Sequence, residues 1–254
     1  MMLEVRDLGV RYGTKKILNG LGFSVKEGQW LMIAGPNGAG KSTAINAIAG
    51  SVDYTGNIRF EGEEIRRKKP AQLARCIGVL TQSHPVSYSF SVEEVVTLGR
   101  YSHSAGFLSR RVEGKDTAEA VNAALELTGM TKRRGQSVLT LSGGELQRTF
   151  LAQVLAQDPR LLLLDEPANH LDPVYQKQIF DLIRDWLKTP GRAVISVIHD
   201  LSLARAYGTE ILLMNHGTAL ACGTADEVLT PALLKEVYQM DVYGWMRELL
   251  SQWN

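Results

Sequence analysis

Gly35-Pro36-Asn37-Gly38-Ala39-Gly40-Lys41-Ser42 fits the pattern G-x-x-x-x-G-K-[ST] in full. Glycines let a backbone curl until several N–H groups converge on phosphate oxygens. A helix starting just after the loop adds partial positive charge. Lys41 is placed to reach β- and γ-phosphates, and the Ser42 hydroxyl to ligate Mg²⁺. Well over a hundred residues later, four consecutive leucines, Leu161–Leu164, end in Asp165-Glu166. Two carboxylates at the end of a buried strand lie where open α/β sheets bind ligands. Asp165 suits the Mg²⁺ sphere, through water. Glu166 suits a general base that aligns or deprotonates an attacking water. Acids also stop apolar strands merely by capping the next helix, but the glycine loop upstream favours the catalytic reading. The long gap between the two segments means that something has been inserted.

A second glycine pair stands in Leu141-Ser142-Gly143-Gly144-Glu145, before an amphipathic run with Leu146, Phe150 and Val154 spaced for a helix face. Ser142 and Glu145 make a capping box, which by itself explains a helix start. A box does not require two glycines, however. They expose backbone N–H groups at a helix N-terminus, a second anion site. One chain thus carries two phosphate-binding loops, of which only one bears a lysine. This arrangement makes sense if two copies face each other head to tail, each nucleotide held between the loop of one and the serine-glycine helix of the other.

The elements that must position these groups follow from apolar patterning. Short strands are expected at Leu3–Asp7 and Leu21–Val25, with Tyr12-Gly13 and Glu27-Gly28 as turns. Trp30–Ala34, Cys76–Thr81, Leu161–Leu164 and Ala193–Ile198 are unbroken apolar runs, which suit strands buried on both faces of a parallel sheet. A helix is expected over Thr43–Ala49, and a helical stretch from Ser91 to Gln157 with a capped start at Ser91. Ile211–Met214 and Thr218–Ala221 predict a hairpin around His216-Gly217, with short helices near Asp226 and Leu233. The segment Met240–Asn254 gives no functional reading.

Composition sets the bounds. The chain has 254 residues, 44% of them hydrophobic, and a net charge of +1, an ordinary globular balance. Near-neutral charge argues against a polyanion binder, so no nucleic-acid partner is expected. Cys76 and Cys222 form no disulfide framework and no zinc pattern, which favours a reduced, cytoplasmic setting. The N-terminus lacks a signal-peptide layout, and no apolar run is long enough to span a bilayer. The basic clusters Arg66–Lys69, Arg110-Arg111 and Lys132–Arg134 read first as solvated faces, and second as neighbours of lipid headgroups or a membrane partner. His84, His103, His170 and His216 read as surface or loop residues, with no metal site among them.

In sum of motifs, the chain resembles the ATP-binding subunit of an ATP-binding cassette (ABC) transporter, over roughly Met2 to Val237. Gly35–Thr43 is similar to the Walker A loop, Leu141–Glu145 to the LSGGE signature, and Leu161–Glu166 to Walker B. Ala168–Asp172 is similar to the D-loop, Gln82 to the Q-loop glutamine and His199 to the switch histidine. The resemblance implies an α/β fold of the phosphate-loop NTPase class. Its mostly parallel sheet would be flanked by helices, with an antiparallel N-terminal part and a helical subdomain over about 91–157 inside a single domain, 1–254. It implies ATP and Mg²⁺ as cofactors and ATP binding by Tyr12, stacked on adenine, and by Gly35, Pro36, Asn37, Gly38, Ala39, Gly40, Lys41, Ser42 and Thr43. Catalysis falls to Glu166, His199, Gln82 and Lys41, with Ser42, Gln82 and Asp165 on the metal. Ser142, Gly143, Gly144, Glu145 and Asp172 would contact the partner copy's ATP.

Val92–Tyr101 and Leu171–Gln176 resemble the importer branch for iron–siderophore complexes, haem and cobalamin, although Tyr175 stands where a histidine is common. The branch implies a second copy of the chain, integral-membrane permease subunits and an external substrate-binding protein, with this chain on the cytoplasmic face of the membrane. An ABC efflux ATPase, or a non-transport ABC ATPase acting on DNA or ribosomes, is the alternative.

Overall fold

The computed structural model describes residues 1–81, 88–103, 115–169 and 171–252. Gln82, His84, Arg110, Arg111 and His170, on which readings above fall, lie outside the described residues, as does part of the expected helical stretch. Along the chain run β1 (Leu3–Tyr12), β2 (Lys15–Val25), β3 (Trp30–Ala34), α1 (Lys41–Ile48), β4 (Thr55–Phe60), β5 (Glu63–Glu64), α2 (Pro70–Cys76) and β6 (Ile77–Leu80). Then come α3 (Val92–Leu98), α4 (Lys115–Leu127), α5 (Gly143–Ala156), β7 (Leu161–Asp165), α6 (Pro173–Leu187) and β8 (Ala193–Val197). The last elements are α7 (Leu201–Tyr207), β9 (Glu210–Asn215), β10 (Thr218–Gly223), α8 (Ala225–Val228), α9 (Pro231–Tyr238) and α10 (Val242–Ser251). They form two compact units, Met1–Ile65 with Ile195–Asn254, and Arg66–Val194.

The first unit opens with an antiparallel sheet in the order β2-β1-β4-β5. β1 and β2 run further than the sequence suggests, out to the tight turn after Tyr12. Register shifts between Val5 and Leu8, Leu8 and Val10, and Val10 and Arg11, with Asp7 at φ 50°, break the alternation on which the reading relied. Gly56 of β4 lies so close to this bulge that a Cβ would sit 2.3 Å from the Asp7 carbonyl oxygen. Polar Thr55-Gly56-Asn57 hides β4 from a hydrophobicity reading.

All five residues of β3 are buried, and β3 pairs in parallel with β9 from Leu31↔Glu210 to Ala34↔Leu213. β9 returns as β10 through His216-Gly217, whose φ values of 46° and 79° are those of a type I′ turn. The Ile198 N–H donates to the Ile33 carbonyl at 3.1 Å, so the exit of β8 lies beside the exit of β3. Between them the fully buried Trp30 indole donates to Ser196 Oγ at 2.8 Å. α7 packs on β3, α1 on β2, α8 on β9 and β10, and α10 on α9.

In the second unit α2, begun by Pro70 at its first position, leads into β6. β6 pairs in parallel with β7 from Ile77↔Leu161 to Leu80↔Leu164. Every residue of β7 is buried, as a leucine run covered on both faces requires. α5 packs on β6, α3 and α4. Ser91 and Ser142 each cap their helix through a reciprocal box with the glutamate three residues on. Among the described residues no helix is long and apolar enough to cross a membrane.

Candidate functional site

In the first unit the glycine loop bridges β3 and α1. Gly35, Gly38 and Gly40 sit at φ 143°, 81° and 97°, conformations that only glycine takes readily. A Cβ at Gly35 would lie 2.2 Å from the Met214 carbonyl oxygen, so loop and β9 touch backbone to backbone. Lys41 is 6% exposed, and its ammonium donates to the carbonyls of Gly35 at 2.8 Å and Pro36 at 3.0 Å. The lysine thus lies across the mouth of its own loop, with Ser42 and Thr43 following it in the first turn of α1. Tyr12, half exposed at the end of β1, and His199, exposed just past β8, belong to the same unit. Because Ile198 bonds to Ile33, His199 leaves the sheet at the edge where β3 enters the loop.

Two residues of this unit carry more than the sequence reading gave them. Gly217, read only as turn punctuation, donates its N–H to the Ala39 carbonyl at 3.1 Å and accepts from the Asn19 N–H at 2.9 Å. Tyr238, at the end of α9, sits within hydrogen-bonding reach of the Gly35 amide; burial pushes its phenol up, and that amide opposes the shift. A turn-type dipeptide was the one available signal for the first, and nothing local signals the second.

In the second unit Asp165 ends β7 at 7% exposure. Glu166 follows at φ 54°, a left-handed turn that lifts the chain off the strand. Asn169 folds back on it: its N–H donates to the Glu166 carbonyl at 3.2 Å, and its side-chain amide to Glu166 Oε2 at 2.6 Å. Side chains from two helices hold this loop, Gln147 donating to the Pro167 carbonyl at 2.8 Å and Gln176 to that of Ala168 at 3.3 Å. Asp172 caps α6, its Oδ1 accepting from the Val174 and Tyr175 N–H groups at 3.0 and 3.1 Å.

The signature segment lies in the same unit. Ser142 Oγ accepts from the Glu145 N–H at 3.3 Å, while the Glu145 carboxylate accepts from the Ser142 N–H at 2.9 Å and hydroxyl at 3.0 Å. The Ser142 N–H first, helped by the Arg133 guanidinium at 2.9 Å, holds the Glu145 carboxyl below the usual carboxylate value. Gly143 faces open space. Gly144 is covered by the Tyr175 ring, which a Cβ there would meet at 3.3 Å, and Arg148 stacks on that ring at 4.9 Å. The residue found in place of histidine therefore packs α6 directly onto the signature helix. The structure brings Glu166, Asp165, Asp172 and Ser142–Glu145 into one unit, and Tyr12, Gly35–Thr43 and His199 into the other.

A family model described as "ABC transporter" matches residues 18–169. The chain is 39% identical over 247 residues to the hemin import ATP-binding protein HmuV of Pseudomonas entomophila, covering 95% of this chain and 94% of that one. It is 35% identical over 240 residues to the iron(3+)-hydroxamate import ATP-binding protein FhuC of Bacillus subtilis, covering 94% and 88%. To an ABC transporter ATP-binding protein of Bacillus subtilis, YvrA, it is 36% identical over 241 residues, 94% of this chain, and spans about half (54%) of that longer relative. The solved ADP conformation of an ATP-binding cassette of an ABC transporter superposes with a TM-score of 0.83 at 25% identity, covering 93% of this chain and 98% of that one. The chain belongs to the ABC transporter ATP-binding family, with its phosphate-loop NTPase fold and its ATPase activity coupled to transport.

Proposed function

We propose that this chain powers an importer of iron–siderophore, haem or cobalamin-type ligands, as one of two copies beneath integral-membrane permease subunits. An external substrate-binding protein would deliver the ligand to the permease. The observation that carries the two-copy reading is the division of phosphate-binding parts. A lysine-bearing loop stands in one unit, and a helix N-terminus with an exposed Gly143 and no lysine in the other. Closed head to tail, the Gly35–Thr43 loop of one copy and Ser142–Glu145 and Asp172 of the other would enclose each ATP. The haem and iron-hydroxamate relatives support the ligand class; cobalamin rests on the Val92–Tyr101 resemblance. Such a chain sits on the cytoplasmic face of the membrane, held there by the permease.

The reaction is phosphoryl transfer to water. A water oxygen bonds to the γ-phosphorus as the bond to the ADP oxygen breaks, and the water's proton passes to Glu166. Lys41 must leave its own loop carbonyls to meet the phosphates, so the loop holds a cation ready for an incoming anion. Tyr12 offers a half-exposed ring to adenine. By the resemblance, His199 would donate to the γ-phosphate, and Gln82 would link the site to the permease. Mg²⁺ takes one or two protein groups and completes its shell with phosphate oxygens and water. By the resemblance, the Ser42 hydroxyl, the Gln82 amide and the Asp165 carboxylate would serve the ion, directly or through water, and among the described residues no group of three or more His, Cys, Asp or Glu could hold a metal. When bound, the ion neutralises phosphate charge.

Glu166→Gln should slow ATP turnover by about 10²–10⁴-fold, the size of a general-base effect, and should accumulate an ATP-bound dimer. Turnover near that of the unaltered chain would remove Glu166 from the base role. Purifying the tagged chain from solubilised membranes tests the transport reading. A permease that lacks its own ATPase supports it; ribosomes or DNA-bound proteins in its place would overturn it.

A further inference from the structure

We propose that Gly217 is a positioning residue for the nucleotide, fixing the distance between the ring that meets adenine and the loop that meets phosphate. This rests on the adenine role given to Tyr12 above and adds how that ring is held in register with Gly35–Thr43. Three stretches of backbone meet at Gly217, all within the first unit. Its N–H donates to the Ala39 carbonyl at 3.1 Å, and its carbonyl accepts from the Asn19 N–H at 2.9 Å. A Cβ at Gly217 would lie 2.1 Å from the Ile17 carbonyl oxygen, and a Cβ at Gly40 would lie 3.3 Å from that same atom. The phosphate loop, β2 and the turn between β9 and β10 are thus close backbone to backbone. Only a residue without a Cβ, here at φ 79°, allows that approach.

The loop is fastened to the β9–β10 hairpin twice, at Ala39 by Gly217 and at Gly35 by the close approach of Met214. The middle four residues of β9 are buried, and the strand is paired with β3 on one side and β10 on the other. Loop and turn therefore move together. β2, by contrast, is the edge strand of its sheet, and its neighbour β1 ends in Tyr12. Arg11↔Lys16 and Tyr12↔Lys15 pair just beyond the shift in register that leaves Ile17 without a Cα partner in β1. A wedge between Gly217 and Ile17 displaces the β1–β2 hairpin, and the Tyr12 ring with it, while the loop stays with β9.

The test titrates the chain with ADP and with inorganic pyrophosphate, each with Mg²⁺, by isothermal calorimetry. Neither probe carries a γ-phosphate to be hydrolysed. ADP reads base and phosphate together, pyrophosphate the phosphate loop alone. Gly217→Ala sets a methyl against Ile17. Asn19→Pro removes the N–H that meets Gly217 and sets its ring against the Gly217 carbonyl, on an edge strand, where proline is tolerated. Each should weaken ADP about ten-fold, within the range for losing one base–aromatic stack, and pyrophosphate by less than about two-fold. In a Tyr12→Ala chain either change should cost ADP less than about two-fold more, because the contact it positions is gone.

Equal weakening of ADP and pyrophosphate would overturn the proposal, since the turn would then serve the loop alone. So would unchanged ADP affinity in both variants, or a full ten-fold loss on top of Tyr12→Ala. A Tyr12→Ala chain that binds ADP as tightly as the unaltered one would sink the adenine reading together with this one, whereas a weakened Tyr12→Ala with additive losses sinks this one alone. Thermal melting of each variant separates a lost contact from lost folded protein, and Asn19→Pro decides the matter if Gly217→Ala does not fold.

Discussion

Replacing Gly35 with alanine sets a methyl carbon 2.2 Å from the Met214 carbonyl oxygen, where such contacts ordinarily stay beyond about 3.3 Å. Met214 is fully buried in β9, between β3 and β10, and cannot retreat without breaking two ladders. The loop must yield instead, and with it the Gly35 carbonyl that holds Lys41 at 2.8 Å. The φ of 143° adds its own cost, since that region is nearly closed to side chains. Strain of about 1–3 kcal/mol and overpacking of about 1–3 kcal/mol together predict a loss of roughly 2–6 kcal/mol. At ~2–4 °C per kcal/mol for a chain of this size, Tm should fall by roughly 5–20 °C.

Gly38→Ala is the control. It lies in the same loop at φ 81°, but a Cβ there meets nothing within 4 Å. Only the left-handed backbone is penalised, by about 1–2 kcal/mol. Differential scanning calorimetry without nucleotide compares the two free of any effect on ATP binding. Gly35→Ala melting within about 2 °C of Gly38→Ala would refute the claim that backbone contact with β9 fixes the loop.

Ser196→Ala removes the acceptor that meets the buried Trp30 indole at 2.8 Å; urea unfolding should show a loss of about 1–3 kcal/mol, and an unchanged midpoint would assign that bond no role. The Glu145 carboxyl is held below its ordinary carboxylate value in the folded chain, foremost by the Ser142 N–H. The sign follows: this contribution is complete above the unfolded value and fades as pH falls through the lowered one. Glu145→Gln keeps a neutral acceptor at that position, so the stability gap between the two chains should narrow as pH drops below about 4.5. A gap that stays constant with pH would contradict the cap's electrostatic part.

Residues 35–42 and 161–166 were legible because their chemistry and their strands are encoded locally: a glycine run with one lysine, and leucines ending in two acids. The hairpin at His216-Gly217 was legible for the same reason. β4, β5 and α2 were not, because β4 gains its place from the Gly56 approach to a bulge in β1, a contact between distant segments. Gly217 read as a turn and also proved to buttress Ala39, again a long-range contact. Asn169 and Tyr175 were singled out by resemblance, but their contacts, with Glu166 Oε2 and the face of Gly144, were not legible because tertiary packing sets them.

The two-copy site is tested most directly by mixing two inactive variants. Lys41→Ala removes the phosphate cation, while Gly143→Asp puts a negative charge at the signature helix, at a position open enough to accept it without a clash. In a mixed dimer one site inherits both defects, and the other combines an intact loop with an intact signature. Half of randomly formed dimers are mixed, so equal parts should recover roughly a quarter of the complete sites, seen as ATP hydrolysis that neither variant shows alone. A mixture as inactive as its components would contradict a site shared between two copies.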